Sequence, residues 1–170
     1  MRRFALAPMT TGLHVLTWVC FVVPLAQLYG AVVSPPPVRA VLGASSLFVA
    51  LIYASVWFVF RPTRFEVDGD GLRIVWPIRW RLVAAANIAE ARVVSSRDFR
   101  REYGNGMRIG AGGLWGGFGL LKTGRETFSM WISRTDAFVI VRLRDGRPLL
   151  LTPEDPDRFV DSLPGGPRSA

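Results

Sequence analysis

Residues Leu13–Phe60, LHVLTWVCFVVPLAQLYGAVVSPPPVRAVLGASSLFVALIYASVWFVF, contain one charged side chain, Arg39. Two uncharged runs of 21 residues, 13–33 and 40–60, flank the connector SPPPVR. At about 1.5 Å per residue a helix of that length spans roughly 30 Å, the thickness of a bilayer's hydrocarbon core. The connector is short enough only for a tight turn, so the pair is expected to form a transmembrane helical hairpin. Arg2 and Arg3 precede the first run and Arg61 and Arg64 follow the second, against Arg39 alone between them. The positive-inside rule then places both termini in the cytoplasm, and the localisation expected is the inner cell membrane, multi-pass.

A cleaved signal peptide is the rival for the first run, because Arg-Arg precedes it. The run is too long for an apolar signal core and no small-x-small cleavage site follows. Cys20 sits mid-run behind Trp18 and Val19, which rules out a lipobox. Small residues at Ser46, Ala50 and Ala54, and at Ala26 and Gly30, have the spacing that lets helix backbones approach. Packing within the hairpin is the simpler use and self-association the other. Pro24 is a candidate kink. His14, the only histidine, is expected to be an interfacial polar residue.

All 13 acidic residues and 18 of the 21 basic ones follow Phe60. Residues 61–164 are long enough for one compact domain, and 165–170 are expected to be a disordered tail. Alternating apolar and polar residues with turn signals give about seven antiparallel strands: Phe65–Val67, Leu72–Trp76, Ile78–Leu82, Ala91–Val94, Thr127–Ser133, Phe138–Leu143 and Leu149–Thr152. Asp68-Gly69-Asp70-Gly71 is a hairpin turn, and the link AAANIAE has room for a helical turn. From Pro153 to Leu163 the period changes to that of a short amphipathic helix with acidic residues at its start and Pro164-Gly165 after its end. The fold class expected is mostly β, on an N-terminal two-helix membrane hairpin (1–60).

The order of these elements, with "FEVDGDGLRI", "IRWRLVAAANIAEARVV" and "VRLRDGRPLLLTPEDPDRFVDSL", resembles the membrane-anchored bacterial PH-like (pleckstrin-homology-like) domain proteins over roughly Phe65 to Leu163. That resemblance implies a PH-like roll, seven strands in two nearly orthogonal sheets capped by a helix. It implies no catalytic residues. Phosphoinositide-binding PH domains carry basic residues in the first hairpin, whereas the corresponding tip here is Asp68-Gly69-Asp70-Gly71.

Between the β-like segments lies Gly104–Gly124, GNGMRIGAGGLWGGFGLLKTG, with nine glycines in 21 residues. It matches neither G-x-x-x-x-G-K-[ST] nor G-x-G-x-x-G, since Leu121 precedes Lys122 and Trp115 stands at the sixth place counted from Gly110. Nucleotide binding has no support. Its apolar side chains need burial, either over the sheet or, for Trp115 and Phe118, against the membrane interface or a partner.

Arg73, Arg79 and Arg81 alternate with Leu72, Ile74, Trp80 and Leu82. They share an outward face if the apolar set points inward. With Arg97, Arg100 and Arg101 they form the candidate contact with anionic lipid headgroups, each worth about 1 kcal/mol near such a surface. Nucleic acid ranks below lipid, because the basic residues are dispersed among acidic ones and no binding signature occurs. Beyond Phe60 there is no histidine or cysteine, and Glu90, Asp98, Glu102, Glu126 and Asp136 form no acid–base pattern. No catalytic residue, cofactor or metal site is expected. The function expected is a non-catalytic, membrane-anchored module for a protein partner or self-association. The alternatives are an anionic-lipid sensor and an accessory subunit of a transporter or membrane enzyme.

Overall fold

The computed structural model describes residues 1–164; the tail expected at 165–170 lies outside the described residues. Two helices, α1 (Thr11–Val33) and α2 (Pro36–Ser55), form the hairpin. The second continues through a wider π turn, Val56–Phe60, where the Arg61 amide donates to the Val56 carbonyl five residues back at 2.9 Å. Both helices are long and apolar enough to cross a membrane. They pack through polar contacts as well as apolar ones: Tyr53 Oη donates to the Cys20 carbonyl (2.6 Å), Ser46 Oγ to that of Pro24 (3.1 Å), and Gln27 Nε2 to Ser45 Oγ (2.9 Å). Of the small residues, Ser46 is buried between the helices and Gly30 meets Leu42, while Ala26, Ala50 and Ala54 face outward.

The rest is mostly strand, in two sheets. The first has the order β1 (Arg2–Ala5), β2 (Arg64–Asp68), β3 (Gly71–Val75), β4 (Trp80–Ala84). The second is six-stranded, with β5 (Ile88–Ser95), β6 (Gly106–Gly112), β7 (Gly117–Thr123), β8 (Thr127–Ile132), β9 (Ala137–Leu143) and β10 (Leu149–Leu151) in the order β5-β9-β10-β8-β7-β6. Among the described residues ten strands therefore replace the seven expected, all of which recur with shifted ends. The additions are β1 and the pair β6–β7. β10 also departs from an all-antiparallel sheet, since it runs parallel to β8 and antiparallel to β9.

The strand β1 alters the division at residue 60. Arg2–Ala5 comes before the helices yet pairs antiparallel with β2, Arg3 opposite Glu66 and Phe4 opposite Phe65. The chain thus leaves the sheet domain, makes the hairpin and returns beside its own start. Ser133 secures that junction: its Oγ donates to the Ala7 carbonyl (2.5 Å) and its amide donates to Thr152 Oγ1 (2.8 Å).

The main core lies between the sheets and is closed by α4 (Pro156–Ser162), as the change of period predicts. Asp155 caps that helix by accepting from the Arg158 amide at 3.1 Å. Phe159 stands edge-on to Phe4 and Phe65, with centroids 5.2 and 5.8 Å away. Each such ring contributes roughly 1.5–3 kcal/mol through burial. A second core covers the opposite face of the six-stranded sheet, under α3 (Ser96–Tyr103), whose Phe99 and Tyr103 pack on Phe128.

Candidate functional site

The glycine-rich segment is a β-hairpin. In β6–β7, Gly110 lies opposite Gly119 and Gly112 opposite Gly117, joined by Gly113–Gly116, where the Gly113 amide donates to the Gly116 carbonyl at 3.1 Å. Gly116 has φ of 147°, and a Cβ there would lie 2.2 Å from the Ile132 carbonyl oxygen. The glycines admit strands to positions that a side chain would block.

The segment's two candidate contact residues, Trp115 and Phe118, are both packed within the chain, at different places. Phe118 is 0 % exposed and lies in the core between the sheets, so it is removed from any contact with a partner or membrane. Its phase decides this: Phe118 pairs with Trp131 on the core side of the sheet. Trp115, at the hairpin tip, is partly buried against the helices, with centroids 4.9 Å from Trp57 and 5.9 Å from Phe21. Its amide donates to Thr17 Oγ1 (3.2 Å), and that hydroxyl also lies 3.3 Å from the Gly113 carbonyl. Trp115 has φ of 57°, in the left-handed region that a bulky residue adopts only when its surroundings hold it there. The hairpin tip is thereby clamped to α1 and α2.

A second turn grips the end of the second helix. Between β3 and β4, Trp76 Nε1 donates to the Phe60 carbonyl (3.0 Å) and the Arg79 guanidinium to the Val59 carbonyl (2.8 Å), two groups that a helix end leaves without partners. The Trp76 amide closes the turn on the Arg79 carbonyl at 2.8 Å. This closure fixes the register as Arg73 opposite Leu82, Ile74 opposite Arg81 and Val75 opposite Trp80.

The arginines therefore do not share one face. Cross-strand partners point the same way, so Trp80 and Leu82 lie outward with Arg73, and Val83 takes the inward place beside Leu72 and Ile74. Arg81 belongs to the Ile74 side, at the exposed sheet edge. Pro77 and the four-residue turn shift the phase that simple alternation assigns. Arg73 stacks on Trp80 at 5.3 Å and, with Arg3 and Arg64, encloses the buried carboxylate of Glu66 at 3.8, 3.3 and 2.7 Å.

Arg97, Arg100 and Arg101 are exposed on α3, on the far side of the six-stranded sheet from β4, so the two basic groups are not brought together. A cavity beside α3 includes Arg100 and Arg108 at its lining. Its apolar walls, among them Met130, Phe138 and Leu150, are already buried by the chain itself.

The carboxylates face arginines. Glu102 lies 2.5 Å from Arg92, whose hydrogen bond holds its carboxyl below the usual range. Glu126 pairs with Arg142 (3.3 Å), Asp98 with Arg101 (3.5 Å) and Glu90 with Arg92 (4.0 Å). Asp136 is chelated by Arg134 through two nitrogens, and this lowers its pKa to about 2. Tyr103 Oη accepts from Arg142 (2.8 Å) and Arg92 (3.2 Å), tying α3 to the sheet.

Two surfaces escaped sequence reasoning. The outer edge of the six-stranded sheet is β6, where Met107 and Ile109 are 62 % and 47 % exposed and the backbone has no neighbouring strand on one side among the described residues. The β3–β4 turn presents Ile78 and Trp80, 68 % and 64 % exposed. The alternation in Met107-Arg108-Ile109 carried the first signal, but the surrounding glycines masked it. Comparison with protein-family models, curated proteins and solved structures finds no match.

Proposed function

We propose that this chain is a non-catalytic, membrane-anchored interaction module that displays a free β edge to a protein partner at the cytoplasmic face of the inner membrane. The arginines at 2, 3, 61 and 64 support cytoplasmic termini, and the nearly continuous apolar surface of α1 and α2 suits them to lipid. Two strand-rich layers closed by a C-terminal helix accord with a PH-like domain, although β1 and the pair β6–β7 are additions to that plan and β10 runs parallel to β8. Ion-paired carboxylates favour binding over catalysis.

The observation that carries the proposal is the edge strand β6. A seven-residue edge with two exposed apolar side chains and a single charge, Arg108, is suited to strand addition, in which an extended segment supplies backbone hydrogen bonds and fills side-chain pockets. The domain is clamped to the helices by Trp115 and Arg79, so the edge has a fixed orientation toward the bilayer.

The test is site-specific photocrosslinking of the full chain in its native membrane, with a benzoylphenylalanine at Met107 and a control at Arg97 on α3. A discrete adduct from position 107, lost when Ile109→Lys is added, is the expected result. Equal labelling from both positions, or none from 107, would sink the proposal. An adduct between two copies of the chain would make the partner a second copy.

A further inference from the structure

We infer that the β3–β4 turn rests in the headgroup layer of an anionic lipid leaflet, with Ile78 and Trp80 entering it and Arg79 and Arg81 facing lipid phosphates. This rests on α1 and α2 being membrane spans, as proposed above. The turn is fastened to the end of the second helix by Trp76 on the Phe60 carbonyl and Arg79 on the Val59 carbonyl. Where that helix leaves the hydrocarbon, the turn arrives at the headgroups.

Three features name lipid as the occupant. Ile78 and Trp80 are among the most exposed apolar residues outside the two long helices, and no segment of the described chain covers them. Tryptophan concentrates at bilayer interfaces because its ring is apolar and its N–H polar. The residues Pro77–Leu82 include two arginines and no carboxylate, and neither Arg79 nor Arg81 has an ion-pair partner among the described residues. Three guanidinium groups lie over tryptophan rings in this region: Arg61 on Trp57 (4.5 Å), Arg79 on Trp76 (4.8 Å) and Arg73 on Trp80 (5.3 Å). Such stacking satisfies the face of the cation and leaves its edge donors for phosphate oxygens. Arg73 already faces Glu66, but an apolar protein partner would leave Arg61, Arg79 and Arg81 without counter-charges, whereas an anionic leaflet supplies them.

The contact is tested on the full chain with Cys20→Ser, carrying one nitroxide label through Ile78→Cys, Leu51→Cys or Gly69→Cys. Leu51 lies within the second helix, and Gly69 in the β2–β3 turn lies at the opposite end of the sheet from the helix junction. Each protein is placed in nanodiscs of equal parts phosphatidylcholine and phosphatidylglycerol, and relaxation by oxygen is compared with relaxation by a water-soluble nickel chelate. The oxygen-to-nickel ratio at position 78 should be several-fold above that at 69 and below that at 51. In phosphatidylcholine alone it should fall toward the value at 69. A ratio at 78 equal to that at 69 in the mixed nanodiscs overturns the contact, and an unchanged ratio in phosphatidylcholine overturns its anionic selectivity. A ratio at 51 as low as at 69 would overturn the membrane spans themselves and this inference with them.

Discussion

The indole of Trp115 stands edge-on to that of Trp57, with 4.9 Å between ring centroids and 73° between planes, so the tip of a glycine-rich hairpin is held by the last turns of the second helix. Trp115→Ala removes this contact and the one with Phe21. A fully buried Trp→Ala costs about 3–5 kcal/mol; for this partly buried ring we expect about 2 kcal/mol. The loss should be local. Hydrogen exchange at the amides of Trp115–Gly117 should accelerate while β9 and β10 stay protected, and uniform acceleration would refute a local clamp.

How much of this was legible varies by element. Runs 13–33 and 40–60 announce α1 and α2 because an uncharged 21-residue run has few other fates. β1 was hidden because Arg2 and Arg3 have the same appearance as charges flanking a span; only the buried Glu66, 63 places later, explains Arg3 as a strand residue. β6 and β7 were hidden because glycine weakens strand propensity, and the requirement that favours it at Gly119 is a neighbouring backbone atom, which no local pattern records. α3 was legible. Ser95 accepts from the Asp98 amide at 3.1 Å, Phe99 and Tyr103 share a face, and Gly104 ends the helix. The site was least legible, because the phase of β4 depends on a turn closed through Trp76 and Arg79.

Ser133→Ala should leave the Ala7 carbonyl without its buried donor. An orphaned buried acceptor costs about 1–3 kcal/mol. The expected outcome is a lower thermal midpoint in mild detergent, together with faster exchange of the Ala7 amide, which donates to the Thr152 carbonyl at 2.9 Å in the same junction. An unchanged midpoint would mean that Ser133 does not fasten the segment before α1.

Asp136 gives the domain an acid-side dependence with a defined sign. Hydrogen bonds from Arg134 lower its pKa from 3.8 to about 2, so the stabilisation is present above pH 4 and disappears as pH falls through 2. The side chain is 56 % exposed, so screening reduces the effect to about 0.5 kcal/mol. Carboxyl carbon shifts followed by NMR should give a midpoint near 2 for Asp136 and an ordinary value in Arg134→Gln. A normal midpoint in the unaltered chain would contradict the pair.

Glu66→Ala should loosen β1 more than β3. Among the described residues the carboxylate is the only negative charge paired with Arg3, Arg64 and Arg73, and its removal leaves three cations repelling one another across adjacent strands. Those arginines retain partial access to water, which limits the cost to about 1–2 kcal/mol. Added salt should recover part of that loss in the variant and change the unaltered chain little. A variant whose stability ignores salt would show that Glu66 acts through packing rather than charge.

Gly119 and Gly112 separate two explanations for the hairpin's glycines. If they serve only as flexible spacers, Gly119→Ala and Gly112→Ala should have similar, small effects. Gly119 has φ of 129°, and a Cβ there would sit 2.4 Å from the Ile109 carbonyl oxygen across the strand pair, so alanine forces β6 and β7 apart. At Gly112 a Cβ meets nothing within 4 Å and φ is ordinary. Left-handed strain of about 1–3 kcal/mol plus the clash should make Gly119→Ala strongly destabilising, whereas Gly112→Ala should be neutral within about 0.5 kcal/mol. Because β6 is the proposed docking edge, Gly119→Ala should also abolish crosslinking from Met107, and Gly112→Ala should preserve it. Crosslinking that survives in Gly119→Ala would detach the partner contact from the hairpin's strand geometry.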